Sequence, residues 1–281
     1  MIKRSEYCAD SFSKFRVVLF LCLCLLLTNS VGANCNDVLF KSNFQSSSNP
    51  SHGNRGPNPG AFNRSVVYNG NVYSYYISIP PDYNPNNPMP MMILWHGAAG
   101  AGTAPANAKA TRDFWRPTAD TNGFITVAQT ATGSLGGGWV PDLDTPIMFE
   151  IIKDMERYYN IEMNKIYGYG FSAGGHVMHG IMLSHSETFA GYAISAGVLE
   201  AYAGLDAPVE ATRKIPVFVS IGLQDTTGPN LLNLSRSNHT VFNNAGWVDG
   251  QNYWIDEFNG GHQIDINVPQ KTWDKLCNQS L

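Results

Sequence analysis

The sequence has few charged residues and no long run of basic ones. Charged residues make up 14% of the 281 positions, and the 18 Lys and Arg never stand more than two in a row. Nucleic acids and anionic membrane surfaces are bound through clustered Lys and Arg. We therefore expect neither as a partner of the mature chain. Hydrophobic residues reach 43% and aromatic ones 12%, which is enough for one large core.

Sequence motifs for metals and nucleotide cofactors are missing as well. No H-E-x-x-H or C-x-x-C occurs, and His176 and His179 form an i, i+3 pair without carboxylates nearby in the sequence. No G-x-G-x-x-G opens a helix, because the glycines from 168 to 170 run into a serine turn. We expect an activity that needs neither a metal nor a cofactor.

Cysteine is scarce. Cys8, Cys22 and Cys24 lie near the N-terminus, which leaves only Cys35 and Cys277 in the rest of the chain. In an oxidising compartment two such cysteines indicate one disulfide between the two ends of the mature chain. Two free thiols are the alternative.

The first 33 residues resemble a secretory signal. Basic residues extend to Arg16, an apolar run spans Val17–Leu27, and the small residues Val31-Gly32-Ala33 follow. The run is short for a membrane span, so we expect cleavage before Asn34 and a secreted or periplasmic protein. An uncleaved anchor is the alternative. Removing these residues takes away four basic and two acidic residues, which leaves 14 and 20 and a net charge of −6.

The remaining chain divides into a lead-in and one domain. Residues 34–65 are rich in Ser, Asn, Pro and Gly and predict an irregular segment. Residues 66–281 alternate short apolar runs with helical patterns, which predicts an α/β domain with a mostly parallel sheet and helices on both faces. We expect a monomer. The predicted strands are Val66–Ile79, Met91–Trp95, Gly123–Ala128, Ile166–Phe171, Phe189–Ile194, Pro216–Gly222 and Asn252–Phe258, with helices from Thr145 to about Tyr159, after Ser172 and over 231–245.

A serine turn stands at the centre of this pattern. The strand ending at Phe171 leads into Gly170-Phe171-Ser172-Ala173-Gly174, and a helical pattern follows. A G-x-S-x-G turn of this kind needs glycine two before and two after the serine, because strand and helix pack closely there. The pattern predicts an exposed nucleophilic serine. Ser195 stands in a near-match with alanine at the first glycine position, and we interpret it as the end of the next strand.

A nucleophilic serine requires a histidine base and an acid that orients it. Asp225 directly follows a buried strand and His262 follows the last strand behind two glycines, which gives the order serine, acid, base. Turn capping is the alternative role for Asp225. The remaining histidines lack such a context, and His176 and His179 on the helix after the serine are expected to face packing or solvent.

The oxyanion donors are expected from two backbone N–H groups. One is that of Ala173, directly after the serine. The other is that of Ala98, in the His96-Gly97-Ala98 turn after the Met91–Trp95 strand.

Together these segments resemble the secreted α/β-hydrolase esterases of the polyhydroxybutyrate depolymerase and feruloyl or acetylxylan esterase group. By that resemblance Ser172, Asp225 and His262 are nucleophile, acid and base of a serine esterase, and the substrate is an ester, expected to be polymeric. The sequence departs from the pattern of this group at Trp95 before His96-Gly97 and at Gln129-Thr130, and it has no cysteine near the serine. The segments that carry the resemblance are Tyr76–Pro80, Leu94–Gly97, Asn122–Phe124, Gly138-Trp139, Asp144, Tyr167–Gly175, Gly222–Asp225 and Gly261-His262.

The interval after Ser195 predicts an open site. Residues 196–215 hold a turn or two of helix and no cap domain, which suits a bulky ester presented from outside. Trp139 is a candidate substrate contact, with a place in the core as the alternative. A serine peptidase of the same fold and a non-catalytic binding protein remain as alternative functions.

Overall fold

A computed structural model describes residues 48–134 and 137–281. These residues belong to one unit, Ala33–Leu281. The described elements are, in chain order, β1 (Gly60–Tyr68), β2 (Asn71–Ile79), β3 (Met89–Trp95), α1 (Ala104–Asn122), β4 (Ile125–Gln129), α2 (Pro141–Tyr158), β5 (Ile161–Phe171), α3 (Ala173–Ser184), β6 (Gly191–Ser195), a 3₁₀ turn (Leu199–Ala201), α4 (Ala207–Glu210), β7 (Val217–Gly222), α5 (Thr227–Asn244), β8 (Tyr253–Phe258) and α6 (Val268–Leu276).

The eight strands form one sheet in the order β1-β2-β4-β3-β5-β6-β7-β8. The pairs β1–β2 and β2–β4 are antiparallel, and all pairs from β4 to β8 are parallel. Strand β3 is buried except at Pro90, because helices cover both faces of the sheet. Residues of α2, α3 and α5 pack on one face and residues of α1 and α6 on the other. The expected α/β architecture is therefore confirmed.

The parallel strands end at one edge of the sheet. Segments at His96, Thr130, Ser172, Ala196, Asp225 and His262 all follow a parallel strand directly or after a short turn. In open α/β sheets this edge is where ligands bind. The connection from β6 to β7 contains only the 3₁₀ turn and α4, so no cap domain is inserted there.

The start of the described chain differs from the expected lead-in. Strand β1 begins at Gly60, so residues 60–65 lie in the sheet and pair with β2. The predicted single strand Val66–Ile79 is interrupted by a turn at Asn69-Gly70, both with positive φ, so its first residues end β1 and the rest form β2. Such a two-residue turn matches the right-handed twist of the strands. Further upstream, Ser48 donates a hydrogen bond to the Glu162 carboxylate over 2.7 Å.

The helix before the serine strand also begins earlier than predicted. Its first residue is Pro141, not a position near Thr145, and Pro146 lies inside the helix. Pro141 satisfies the preference for proline at the first helical position. The predicted start at Thr145 is therefore wrong by four residues. Asp144 lies within the first turns, with a fully buried side chain.

Two sequence predictions fall on residues that are not described. The signal segment 1–33 and Cys35 lie outside the described ranges, and both the cleavage and the disulfide to Cys277 stay predictions. Cys277 itself is buried next to the end of α6. Among residues 48–134 and 137–281, no helix has the length and apolar character that crossing a membrane requires.

Candidate active site

Ser172 occupies a sharp turn between β5 and α3. Its backbone has φ +50° and ψ −118°, a conformation that non-glycine residues rarely adopt. The flanking glycines permit this turn. A Cβ on Gly170 would lie 2.5 Å from the carbonyl oxygen of Gly174, and one on Gly174 would lie 2.6 Å from that of His96. Larger residues at these two positions would push the strand and the helix apart. The two glycines therefore allow the tight turn in which the backbone of Ser172 is strained.

The side chains of Ser172, His262 and Asp225 form one hydrogen-bonded chain. His262 Nε2 lies 2.9 Å from Ser172 Oγ, and His262 Nδ1 lies 2.8 Å from Asp225 Oδ2. The Asp225 side chain is fully buried, whereas that of His262 is 27% exposed. The second carboxylate oxygen of Asp225 accepts the N–H of Thr227 over 3.1 Å, so this aspartate also has the capping contact considered as its alternative role. A buried acid, a half-buried imidazole and a serine hydroxyl are thus aligned in that order.

The loops that carry the acid and the imidazole hold each other in place. The Gln224 N–H donates to the Gly260 carbonyl over 2.9 Å, and the Leu223 N–H donates to that of Phe258 over 2.8 Å. A Cβ on Gly222 would lie 2.3 Å from the carbonyl oxygens of Gly260 and Gly261. This close approach fixes the distance between Asp225 and His262 before any ligand binds.

The turn at His96 lies against the serine. A Cβ on Gly97 would lie 3.4 Å from the Cβ of Ser172. The carbonyl oxygen of His96 accepts the indole N–H of Trp139 over 2.8 Å, and its Nε2 accepts the N–H of Ala131 over 3.3 Å. Burial lowers the pKa of His96, which keeps its ring neutral.

Trp139 packs against the core rather than standing free. Its ring stacks on buried Trp95 at 3.8 Å between centroids and an interplanar angle of 1°. The Trp95 indole N–H donates to Gln129 Oε1 over 3.2 Å. Trp95 and Gln129, which depart from the pattern of the resembling esterases, therefore contact each other beneath Trp139. These contacts are those of a side chain packed on the core, which was the alternative interpretation of Trp139.

The helix after the serine places its histidines in packing roles. His176 Nδ1 accepts the N–H of Val198 over 3.0 Å, and the pKa of His176 is lowered, mainly by burial. His179 is buried beside the Tyr192 hydroxyl at 3.0 Å, and burial lowers its pKa to about 3. Ser195 ends β6, and its carbonyl accepts the Ser172 N–H over 2.9 Å. His176 and Ser195 thus connect the Ser172 turn and the start of α3 to the end of β6 and the residues after it.

A cavity of about 280 Å³ opens beside the serine turn. Its walls are mostly apolar, with aromatic rings from α1 and from the end of β5. Three larger cavities, of about 580, 510 and 350 Å³, include neither the three aligned side chains nor the His96-Gly97-Ala98 turn in their walls. The smaller cavity is lined by that turn and by Phe171, the residue before Ser172, so it is the one that lies next to a group bound at Ser172. Its lining residues are His96, Gly97, Ala98, Ala99, Asn107, Ala110, Thr111, Phe114, Phe171 and Ile264.

Two known esterases are similar in sequence to part of this chain. No family model matches the chain. It is 26% identical over 151 residues to a bifunctional acetylxylan esterase/xylanase from Neocallimastix patriciarum, covering 53% of this chain and 21% of that protein. It is 25% identical over 150 residues to feruloyl esterase D from Neurospora crassa, covering 50% of this chain and 51% of that protein. The matched chain thus spans about a fifth and about half of these relatives.

A solved structure supports the same fold. A ferulic acid esterase from Anaeromyces mucronatus superposes with a TM-score of 0.60 at 14% identity, covering 84% of this chain and 93% of that chain. The chain has the α/β-hydrolase fold. The predicted resemblance to acetylxylan and feruloyl esterases is confirmed, whereas the polyhydroxybutyrate depolymerase part of it stays a prediction.

Proposed function

We propose that this chain is a secreted serine esterase that hydrolyses carboxylic esters through an acyl-enzyme. Ser172 is the nucleophile, His262 the general base and acid, and Asp225 the residue that orients the imidazole. The observation that supports this most is the hydrogen-bonded chain in which His262 lies 2.9 Å from Ser172 Oγ and 2.8 Å from Asp225. Geometry of this kind activates a serine that is otherwise a weak nucleophile.

In the first half of the reaction, Ser172 Oγ attacks the ester carbonyl while His262 Nε2 takes the hydroxyl proton. Asp225 accepts the Nδ1–H of His262, which fixes the tautomer and stabilises the imidazolium. The negative charge on the carbonyl oxygen is received by the N–H groups of Ala98 and Ala173. The imidazolium then protonates the leaving alcohol oxygen, and the C–O bond to the alcohol breaks.

In the second half, water takes the place of the alcohol. His262 removes a proton from it, the hydroxide adds to the acyl carbon, and the same two N–H groups stabilise the charge again. Collapse of this intermediate returns the proton to Ser172 Oγ and releases the acid.

The acyl group is proposed to occupy the cavity of about 280 Å³ beside the turn at His96. This volume lies at or below the small end of ligand pockets, so it suits short or planar acyl groups rather than long chains. No cap lies between β6 and β7, which leaves the alcohol side open to a bulky substrate. We propose acyl or feruloyl esters of polysaccharide as substrates, with a hydroxyalkanoate polyester as the alternative polymer.

The test uses Ser172→Ala, with Ser237→Ala on the exposed face of α5 as the matched control. Ser172→Ala should lower hydrolysis of p-nitrophenyl acetate about 10⁴-fold or more, with an unchanged melting temperature. A serine-directed phosphonate should label Ser172, as mapped by mass spectrometry. Labelling at Ser195, or full activity of Ser172→Ala, contradicts the assignment.

The same assay separates the alternative functions. An amide with the same acyl group should be cleaved far more slowly than the ester. Faster cleavage of the amide would favour a peptidase, and no turnover of either would favour a binding protein.

A further inference from the structure

Asp144 is a buried carboxylate that binds backbone rather than a cation. Its side chain is fully buried in the first turns of α2. Oδ2 accepts the N–H of Val140 over 2.6 Å, and Oδ1 accepts the N–H of Thr132 over 3.1 Å. The Asp144 carbonyl also accepts the Gln129 side-chain amide over 2.9 Å. One carboxylate thus joins the two ends of the segment between β4 and α2.

This segment presses against the proposed oxyanion loop. A Cβ on Gly137 would lie 2.6 Å from the Gly100 carbonyl oxygen, and one on Gly138 would lie 4.0 Å from the Ala98 Cβ. Trp139 follows directly and donates to the His96 carbonyl over 2.8 Å. The position of Ala98 therefore depends on residues 137–139. Asp144 in turn holds Val140, the residue that follows them, through the hydrogen bond from its N–H group.

We propose that Asp144 is a positioning residue for the oxyanion hole, an inference that rests on the proposed esterase function. Its ionised carboxylate clamps the N–H groups of Thr132 and Val140. The clamp keeps Trp139 on the His96 carbonyl and thereby holds the Ala98 N–H against the developing charge. Asp144 does not touch the reacting atoms.

The chemistry of the clamp requires a carboxylate. Two converging N–H donors need two acceptor oxygens, which an ionised Asp provides and an amide does not. Asparagine would point its NH₂ at one of the two N–H groups. Shape is retained in such a variant, while one side of the clamp opens.

The experiment compares Asp144→Asn with Asp142→Asn, an exposed carboxylate two residues earlier in the same helix turn. For p-nitrophenyl butyrate we expect kcat to fall about 10- to 100-fold in Asp144→Asn, with KM changed less than about threefold, because the lost interaction acts in the transition state. Asp142→Asn should keep the wild-type kcat. A melting temperature within a few degrees of wild type would set this loss apart from unfolding.

A second readout does not depend on activity. Hydrogen exchange of peptides covering residues 130–140 should be faster in Asp144→Asn than in both wild type and Asp142→Asn. The positioning role is overturned if kcat stays within about twofold of wild type, if exchange in these peptides is unchanged, or if the loss appears in KM alone. Failure of the esterase function would instead appear as no turnover by wild type, while the exchange result would still decide whether Asp144 holds this segment.

Discussion

The fold is expected to be less stable with Asp144 ionised than with Asp144 protonated, so the free energy of unfolding should depend on pH. Burial raises its pKa from 3.8 to about 6, and the hydrogen bonds from Val140, Thr132 and Gln129 only partly oppose that shift. These hydrogen-bonding groups are uncharged. Removing a carboxylate from water without a cation partner has this effect in proteins.

The direction of this pH dependence follows from the number of protons that the folded and unfolded chains bind. Between about pH 6 and pH 4 the folded chain holds a proton on Asp144 that the unfolded chain has released, so the fold gains stability as the pH falls through this window. Above pH 6 the gain is absent. With the pKa values of about 6 and 3.8, the gain is about 1 kcal/mol at pH 5 and about 2 kcal/mol at pH 4.

The assay is urea unfolding of wild type and Asp144→Asn at pH 7.5, 6, 5 and 4. The difference between the two free energies of unfolding removes the contribution of every other titrating group. It should shift in favour of wild type by about 2 kcal/mol from pH 7.5 to pH 4. A difference that stays flat, or one that shifts in favour of Asp144→Asn at low pH, would refute the assignment of a raised pKa.

Two further predictions concern the cavity and the termini. Ala110→Trp should lower kcat/KM for p-nitrophenyl butyrate about tenfold more than for the acetate, since it fills the cavity wall; Ala106→Trp, one turn away on α1, should not change this ratio. Cys35 and Cys277 should appear joined in non-reducing peptide maps of the mature protein and stabilise it by roughly 4 to 5 kcal/mol on the chain-entropy model, whereas two alkylatable thiols would contradict the pairing.

The turn at Ser172 could be predicted from the sequence because its geometry is set by neighbours in the chain. Gly170 and Gly174 are required by contacts within the same strand, turn and helix. Asp225 and His262 could be predicted for a related reason, since parallel strands bring the residues that follow them to one edge of the sheet. Each of these inferences needed only local sequence and the direction of the strands.

The parts that sequence reasoning missed depend on contacts distant in the chain. Strand β1 begins at Gly60 because it pairs with β2 over its whole length. The sequence of residues 60–65 alone does not predict a strand. Helix α1 contains Pro117 and was not predicted as an element. The role of Asp144 was missed because its partners are backbone N–H groups, which every sequence offers at nearly every position.

The two proposed oxyanion donors therefore depend on the sequence in different ways. The Ala173 N–H belongs to the serine turn, where glycines and the helix start enforce its position. The Ala98 N–H belongs to a loop whose conformation is secured by Trp139 and, behind it, by a buried carboxylate with a raised pKa. An apolar side chain at position 144 would leave both N–H groups without this acceptor and an amide would leave one, so the proposed positioning role accounts for a carboxylate there despite its raised pKa.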